Sequence, residues 1–253
     1  MCIRDRSKFW RYAAVIVVLF SVSYFSYWRG GISIKEVFSD IIVEAPLGSR
    51  TKLTLPDGTL VWLNAGSRIT YSQGFGVGNR KIELIGEGYF EVKRNEEVPF
   101  LVKTNSLLVK VLGTKFNFRD YPDDAEAIVS LSEGKVALNN LLKKEKEAFL
   151  LPNERVVLNK KNGRMHVEYS TVSNALQWTN GYLFFDEELL PDVVKELERS
   201  YNVKIQIASD TLNTFRFYGN FVHREQNIQE VLEALSATRK IHYIIEGHNI
   251  TLY

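Results

Sequence analysis

The stretch Leu55 to Ser67, LPDGTLVWLNAGS, contains the turn and the alternation that indicate how this chain folds. Asp57-Gly58 is a two-residue signal that favours a tight β-hairpin. Apolar residues alternate on both sides of it, which is the period of a half-buried strand. Asn64 to Ser67 predicts a turn that ends the second strand. Two alternatives stay open for the buried face of that strand: Leu60 with Trp62, or Val61 with Leu63.

The same pattern continues along the chain from residue 44 to about residue 170. Further strand-like runs are LIGEGYFEV from Leu84 to Val92 and VKVLGTKFNF from Val109 to Phe118, and turn residues recur at short intervals between them. Many short strands with frequent turns are typical of a β-sandwich, a barrel or a β-solenoid. We therefore predict an all-β domain over residues 44–170, of the sandwich or β-solenoid-like type.

The period of the apolar residues changes after about residue 180. Leu189, Val193, Leu197 and Tyr201 stand four apart, which predicts an amphipathic helix. The run KIQI, from Lys204 to Ile207, predicts a strand. Taken over residues 180–253, the element order is β-α-β-β-α-β-β. This order predicts a small α+β domain with its helices over one face of a sheet.

Near the start of the chain, the stretch from Tyr12 to Trp28 carries no charged side chain. Seventeen residues make about 25 Å of helix, which is just short of the hydrocarbon core of a membrane. Basic residues dominate before the stretch, and this bias places the N-terminus in the cytoplasm. We expect a cytoplasmic stub (1–8), a single transmembrane helix (9–28), a juxtamembrane linker with a flexible exit at Gly30-Gly31 (29–43), and the remainder in the periplasm. A cleaved signal peptide and a buried core helix are the alternatives.

Composition argues against several classes of function. The net charge is +2, and no basic face with interleaved aromatic residues indicates nucleic-acid binding. The four histidines are dispersed, so we expect no metal and no cofactor. Glu83, Glu87 and Glu91 alternate along one predicted strand, and we interpret them as a solvated outer face rather than as paired catalytic carboxylates. We therefore predict a protein that is not an enzyme.

Five runs in order carry a resemblance to a known family: LPDGTLVWLNAGS, RKIELIGEGYFEV, PFLVKT, VLGTKFNF and VSLSEGKVAL. They resemble the FecR family of membrane-anchored anti-sigma factors and sigma regulators. The tail that begins NGYLFFDEELLPDVVKELERSYNVKIQI resembles the C-terminal domain of Bacteroidetes members, which is related to the small domain shared by secretins and TonB-dependent receptors.

The resemblance implies a transmembrane signal transducer in the inner membrane. Its periplasmic part would meet the signalling domain of a TonB-dependent outer-membrane receptor, and a cytoplasmic region would hold an extracytoplasmic-function sigma factor. We expect that sigma-binding region to be missing here, since only eight residues precede the predicted anchor. The alternative function is an anchored periplasmic module that binds carbohydrate or another envelope component.

Two candidate sites follow from the resemblance. Some members of the wider family cleave themselves at a Gly-Thr bond in this motif, and Gly113-Thr114 is the matching pair; a β-bulge that needs glycine is the alternative. Receptor interaction is expected at a sheet edge of the C-terminal domain, by addition of a strand from the partner. The candidate residues for it are Phe215, Phe217, Ile250 and Leu252.

Overall fold

The computed structural model of the chain describes residues 3–35, 39–169, 175–237 and 240–253. The first element is one long helix, α1 (Ile3–Lys35), which continues through Gly30-Gly31 where the sequence predicted a flexible exit. Its described apolar side chains, at Trp10 and from Tyr12 to Trp28, are largely exposed; Phe20, for example, is 73% exposed. The buried-core-helix alternative is therefore wrong. Within the described residues, no helix combines the length and the apolarity that crossing a membrane requires.

The β domain follows and consists of strands alone in its regular structure. Its first strand begins at Asp40, four residues before the predicted boundary. The strands are β1 (Asp40–Ala45), β2 (Thr51–Thr54), β3 (Leu60–Leu63), β4 (Ser67–Ser72), β5 (Arg80–Glu91), β6 (Phe100–Lys103), β7 (Leu107–Val111), β8 (Lys115–Asp120), β9 (Glu126–Glu133), β10 (Val136–Asn140), β11 (Ala148–Leu150), β12 (Glu154–Asn159) and β13 (Met165–Tyr169). The prediction of an all-β domain is confirmed.

The long strand β5 belongs to two sheets. Its first half pairs with β4 and, in parallel, with β6, in the order β1-β4-β5-β6-β7-β10-β11. Its second half pairs with β3 and β8, in the order β2-β3-β5-β8-β9-β12-β13. The change occurs at Gly86, whose φ is +98°. Only glycine fits there, because a Cβ at this position would lie 2.5 Å from Ser67 Oγ.

Both sheets contribute to a single apolar core. Phe100 comes from the first sheet and Phe116 from the second, and Phe90 of the shared strand contacts both, with ring centroids 6.3 and 5.0 Å away. All three side chains are fully buried. Burial of each is worth about 1.5–3 kcal/mol, so this aromatic contact between the sheets contributes strongly to the stability of the domain.

The hairpin around Asp57-Gly58 has a longer loop than predicted. Thr54 pairs with Leu60, so five residues connect β2 and β3. The loop is held by Asp57, whose carboxylate accepts a bond from the Thr59 backbone N–H (2.9 Å) and forms an ion pair with Arg80 (3.1 Å). On β3, Val61 and Leu63 face the core and are fully buried, which decides between the two alternatives.

The C-terminal domain has the predicted element order. Its elements are β14 (Tyr182–Leu189), α2 (Leu190–Tyr201), β15 (Lys204–Ile207), β16 (Arg216–Val222), α3 (Ile228–Ser236), β17 (Tyr243–Glu246) and β18 (Asn249–Leu252), with 3-10 helices at Gln177–Asn180 and Asp210–Thr214. Asn227 caps α3, accepting a bond from the Glu230 backbone N–H (3.1 Å).

The strands of this domain form two small sheets rather than the single sheet that was predicted. One sheet pairs β14 with β16, and the other has the order β15-β18-β17. A register shift between Phe185 and Glu188 breaks the first pairing, and the left-handed backbone of Glu187 (φ +54°) lies within that break. The two helices and both sheets share one core, in which Val193, Leu197 and Leu232 are fully buried.

Candidate functional site

A group of polar and charged side chains is buried where the β domain meets the C-terminal domain. We call this group the interdomain cluster. Charged side chains are seldom buried unless they are paired, so a group of this size indicates a special role for the boundary. The cluster consists of Asn64, Glu87, Asn117, Arg119, Asp124, Trp178, Glu196 and Arg199. The most exposed member is Arg119, whose side chain is 25% exposed.

Helix α2 supplies the C-terminal half of the cluster. Val193 and Leu197 fill the core of the C-terminal domain, while Glu196 and Arg199, on a different side of the helix, face the β domain. The backbone also joins the two domains, since Gly48 N–H donates to the Arg199 carbonyl oxygen (2.8 Å). One helix therefore contacts both the core of its own domain and the surface of the other.

Glu87, on β5, lies at the centre of the cluster between two side-chain amides. Asn64 Nδ2 donates to its Oε2 (2.9 Å), and Asn117 Nδ2 donates to its Oε1 (2.8 Å). Burial raises the pKa of Glu87; the nearby Arg119 and the two amide donors work in the opposite direction, and Glu196 reinforces the rise. The two amides thus hold a carboxyl group that is almost entirely buried.

Both amides are fixed in orientation by their other contacts. Asn64 Oδ1 accepts from Arg50 Nε (3.0 Å) and from the Ala65 backbone N–H (2.9 Å). Asn117 Oδ1 accepts from the indole Nε1–H of the buried Trp178 (3.1 Å). Neither amide can flip without losing these bonds, so both present their N–H groups to Glu87.

Two arginines and two carboxylates form the charged half of the cluster. Arg119, on β8, binds Asp124 (2.8 Å) and reaches Glu196 (3.4 Å) across the domain boundary. Arg199 binds the same two carboxylates from α2, at 3.1 Å from Asp124 and 3.3 Å from Glu196. The alternation of charges makes each group the partner of two others. An arrangement of this kind fixes geometry, because displacing one domain separates several buried charges at once.

The pKa values of the two carboxylates follow from this surrounding. Burial by itself would raise the pKa of Glu196, but Arg119 and Arg199 outweigh burial and lower it. The pKa of Asp124 is lowered for the same reason, by the same two guanidinium groups. Burial also tends to lower the pKa of Arg119, yet the carboxylates raise it well above its ordinary value. All four groups are therefore charged at neutral pH.

Next to the cluster, a cleft of about 740 Å³ lies between the domains. Glu87, Arg119 and Glu196 contribute to its polar wall, and Phe184 and Leu189 to an apolar wall. Among the described residues, no group of three or more His, Cys, Asp or Glu side chains could hold a metal ion. The chemistry that the cluster supports is ionic attachment of one domain to the other.

The sequence predicted Gly113-Thr114 as a self-cleavage site, and the structure places it at the boundary of β7 and β8. A Cβ on Gly113 would lie 2.7 Å from the Cα of Arg94, so glycine is required there by close backbone approach. Thr114 is buried, and its hydroxyl donates to the Lys135 carbonyl oxygen (3.1 Å). Packing therefore accounts for the glycine, and cleavage of the bond stays a prediction.

The four predicted receptor-interaction residues fall into two pairs. Ile250 and Leu252 lie on β18, which is the central strand between β15 and β17, and both are buried. The expectation that the terminal strand offers a free edge is therefore wrong. Phe215 and Phe217 pack against the core of the C-terminal domain while staying partly accessible, next to and on β16. Their role in receptor binding stays a prediction.

The interdomain cluster was not predicted from the sequence. The expected alternation along β5 holds at Glu83, whose side chain is 56% exposed, but Glu87 is 5% exposed. The interpretation of Glu87 as part of a solvated face is wrong because the C-terminal domain covers that end of the strand. Asn64 was interpreted only as a turn residue. The signal that was available is weak: Glu196 and Arg199 stand three apart beside the apolar stripe of α2.

Comparison with known proteins identifies the relatives of this chain. The family model described as FecR protein matches residues 42–137, and the model described as FecR, C-terminal matches residues 182–252. A protein from Parabacteroides distasonis ATCC 8503, assigned as an anti-sigma factor, has crystal structures at 1.65 and 2.50 Å resolution that resemble this one. The TM-score is 0.78 and the identity 33% in both cases.

The first of these structures covers 84% of this chain and 98% of its own chain, and the second covers 85% and 99%. A search of curated protein sequences gives no match. The two matching family models lie on the two domains described above, and the solved relatives extend over both. The chain therefore belongs to the FecR family of anti-sigma factors, regulatory proteins whose partner is a sigma factor.

Proposed function

We propose that this chain relays the state of a TonB-dependent outer-membrane receptor to an extracytoplasmic-function sigma factor. The C-terminal domain would receive the receptor's signalling domain, and the β domain would pass the change on. The observation that carries the proposal is the interdomain cluster. A partner that binds one domain can influence the other only if it binds one arrangement of the two domains more tightly than another.

Helix α2 is suited to transmit such a difference. Its apolar residues belong to the core of the C-terminal domain, so a partner that shifts this core also shifts the helix. Glu196 and Arg199 would then move relative to Arg119 and Asp124 of the β domain. Since the ion pairs are buried, such a movement would weaken contacts that are costly to lose; removing one partner from a buried pair costs about 3–5 kcal/mol.

The receiving surface would be the sheet formed by β14 and β16. Within the described residues β16 pairs only with β14, so its second edge can accept a strand from a partner. Tyr218 on this strand is 69% exposed and its ring packs edge-on against Phe184 (6.1 Å). Phe215 and Phe217, partly accessible, flank it. Exposed aromatic side chains are frequent anchors of protein interfaces.

We further propose that α1 attaches the chain to the inner membrane, with the N-terminus in the cytoplasm and the two domains in the periplasm. The support is the uncharged stretch from Tyr12 to Trp28, its exposed apolar side chains, and the aromatic residues at its ends. Labelling tests this topology, because Cys2 is the only cysteine. In intact cells with a permeabilised outer membrane, an impermeant maleimide should modify a Ser49→Cys variant and leave Cys2 unmodified.

The function itself is tested by capture of a partner. The full chain, solubilised in detergent, is mixed with signalling domains of TonB-dependent receptors from the same genome. We expect one domain to be retained, and a Tyr218→Asp variant to retain less of it. The control is Val77→Asp, since Val77 is 78% exposed in the turn between β4 and β5 and does not line the cleft that Arg216 of β16 lines. Retention on glycan or envelope material with no receptor domain captured would support the carbohydrate-binding alternative instead.

A further inference from the structure

We propose that a second pocket between the domains binds a small oxyanion, carrying phosphate or carboxylate oxygens, held between Arg50 and Arg224. We call it the basic pocket; its volume is about 360 Å³. Arg50, Lys52 and Trp62 come from the β domain, and Trp178, His223 and Arg224 from the C-terminal part of the chain. It is distinct from the cleft beside the interdomain cluster. Two hydrogen bonds connect it to the cluster: Trp178 donates to Asn117, and Arg50 donates to Asn64.

The charge of the basic pocket is of one sign. Three basic side chains line it: Arg50, Lys52 and Arg224. No aspartate or glutamate is among the described residues that line it. A concave surface with cations and without carboxylates concentrates anions, and its low-dielectric walls strengthen the attraction.

Arg50 gives the most specific indication of a ligand. Its Nε donates to Asn64 Oδ1 (3.0 Å), whereas its Nη2 is buried and has no hydrogen-bond partner in the described part of the chain. Burial lowers the pKa of Arg50, and the charge of Arg224 lowers it further, against the opposing effect of Glu196 and Glu87. A buried guanidinium nitrogen without an acceptor is costly. Because Nη2 is buried, an oxyanion in the basic pocket would become its acceptor after a small shift of the Arg50 side chain.

The shape of the basic pocket fits a compact ligand. Its volume lies near the lower limit of small-molecule sites. Lys52 and Arg224 are exposed at the rim, and Lys52 Nζ lies 4.5 Å from the centre of the Trp62 ring. His223 is held by the Ser200 carbonyl oxygen (2.6 Å) and so forms a fixed part of the wall. An anion of a few heavy atoms could reach Arg50 from this rim.

Because the two arginines belong to different domains, the bound anion would bridge them. It would stabilise the arrangement of the domains seen here and would add to the attachment that the interdomain cluster provides. The inference does not depend on the proposed receptor or on membrane attachment, since it rests only on the lining of the pocket and on the unpaired Arg50 nitrogen.

The test is titration calorimetry of the full chain with inorganic phosphate and, separately, with malonate, at constant ionic strength held by chloride. We expect saturable binding of at least one of the two, with a stoichiometry near one. Arg224→Gln should weaken that binding by about tenfold or more, the usual loss when one charge-assisted bond is removed. The matched control is Arg94→Gln, an exposed arginine paired with Glu96 in the β domain, which should bind as the unmodified chain does.

Phosphate represents ligands with phosphate oxygens and malonate represents ligands with carboxylate oxygens. The anion that binds more tightly shows which of these two classes the basic pocket prefers. Arg50→Gln is the second variant, and Arg224→Gln keeps the test valid if Arg50→Gln fails to fold, because Arg224 is exposed. The proposal is overturned if neither anion gives saturable binding, or if Arg224→Gln binds as tightly as Arg94→Gln.

Discussion

Glu196→Gln is the perturbation that examines the interdomain cluster most closely, because it removes one charge and almost no volume. The carboxylate has four polar contacts, all of them rather long: Arg119 (3.4 Å), Arg199 (3.3 Å), Asn64 (3.4 Å) and Ser200 (3.4 Å). Removing one partner from a buried ion pair usually costs about 3–5 kcal/mol. Both arginines keep Asp124, so we expect a smaller loss, about 2–3 kcal/mol.

The assay is urea unfolding of the full chain in detergent, followed by circular dichroism and by tryptophan fluorescence, for which the buried Trp178 reports on the boundary. For a slope of roughly 2–3 kcal/mol/M, the expected loss lowers the midpoint by about 1 M. Glu97→Gln, at an exposed glutamate of the β domain, is the control and should leave the midpoint unchanged within about 0.2 M. If Glu196→Gln behaves like Glu97→Gln, the cluster does not hold the domains together.

Further predictions concern Glu87, Glu196 and Gly113. Glu87→Gln should destabilise the chain by about 1–3 kcal/mol although it removes a buried acid. The new NH₂ group would face the N–H donor of Asn64 or Asn117, and two donors cannot form a hydrogen bond with each other. An increase in the urea midpoint would contradict this. As the pH falls below about 4.5, the free energy of unfolding should decline less steeply in Glu196→Gln than in the unmodified chain. Folding lowers the pKa of Glu196, so its contribution to stability is complete above the pKa of the unfolded chain and is lost as the pH falls through the pKa of the folded chain. Equal slopes in parallel urea titrations would refute this. Gly113→Ala should cost about 1–3 kcal/mol of stability through contact with the Arg94 backbone, whether or not the bond is cleaved. If the Gly113-Thr114 bond is cleaved, mass spectrometry of the purified chain should show fragments ending at residue 113, and Thr114→Ala should abolish them. An intact chain would end the self-cleavage prediction.

The sequence predicted those features that depend on local pattern. Alternation and turn chemistry were sufficient for the all-β domain, and the change of period after residue 180 was sufficient for the order of strands and helices in the C-terminal domain. The Asn227 cap of α3 is likewise a local feature, because it depends on two residues that stand three apart. These signals are carried by neighbours in the sequence.

Features that depend on pairing between distant segments were not predictable in this way. The position of β18 in the middle of its sheet depends on a parallel pairing with β15, which is about 45 residues earlier in the chain, and no local pattern encodes that choice. Glu87 shows the same limit at the site. Its alternation correctly places it on the outer face of the β domain, but only the packing of a second domain makes that face a buried one.

Hydrogen–deuterium exchange of the full chain, with and without a receptor signalling domain that it captures, tests the central claim most directly. The account predicts slower exchange along β16, where the partner would add a strand, together with a change in the amides of α2 and of the turn from Asn64 to Ser67 across the boundary. If protection is confined to the β domain, or if exchange at that boundary does not change when the partner is bound, the interdomain cluster does not transmit the signal.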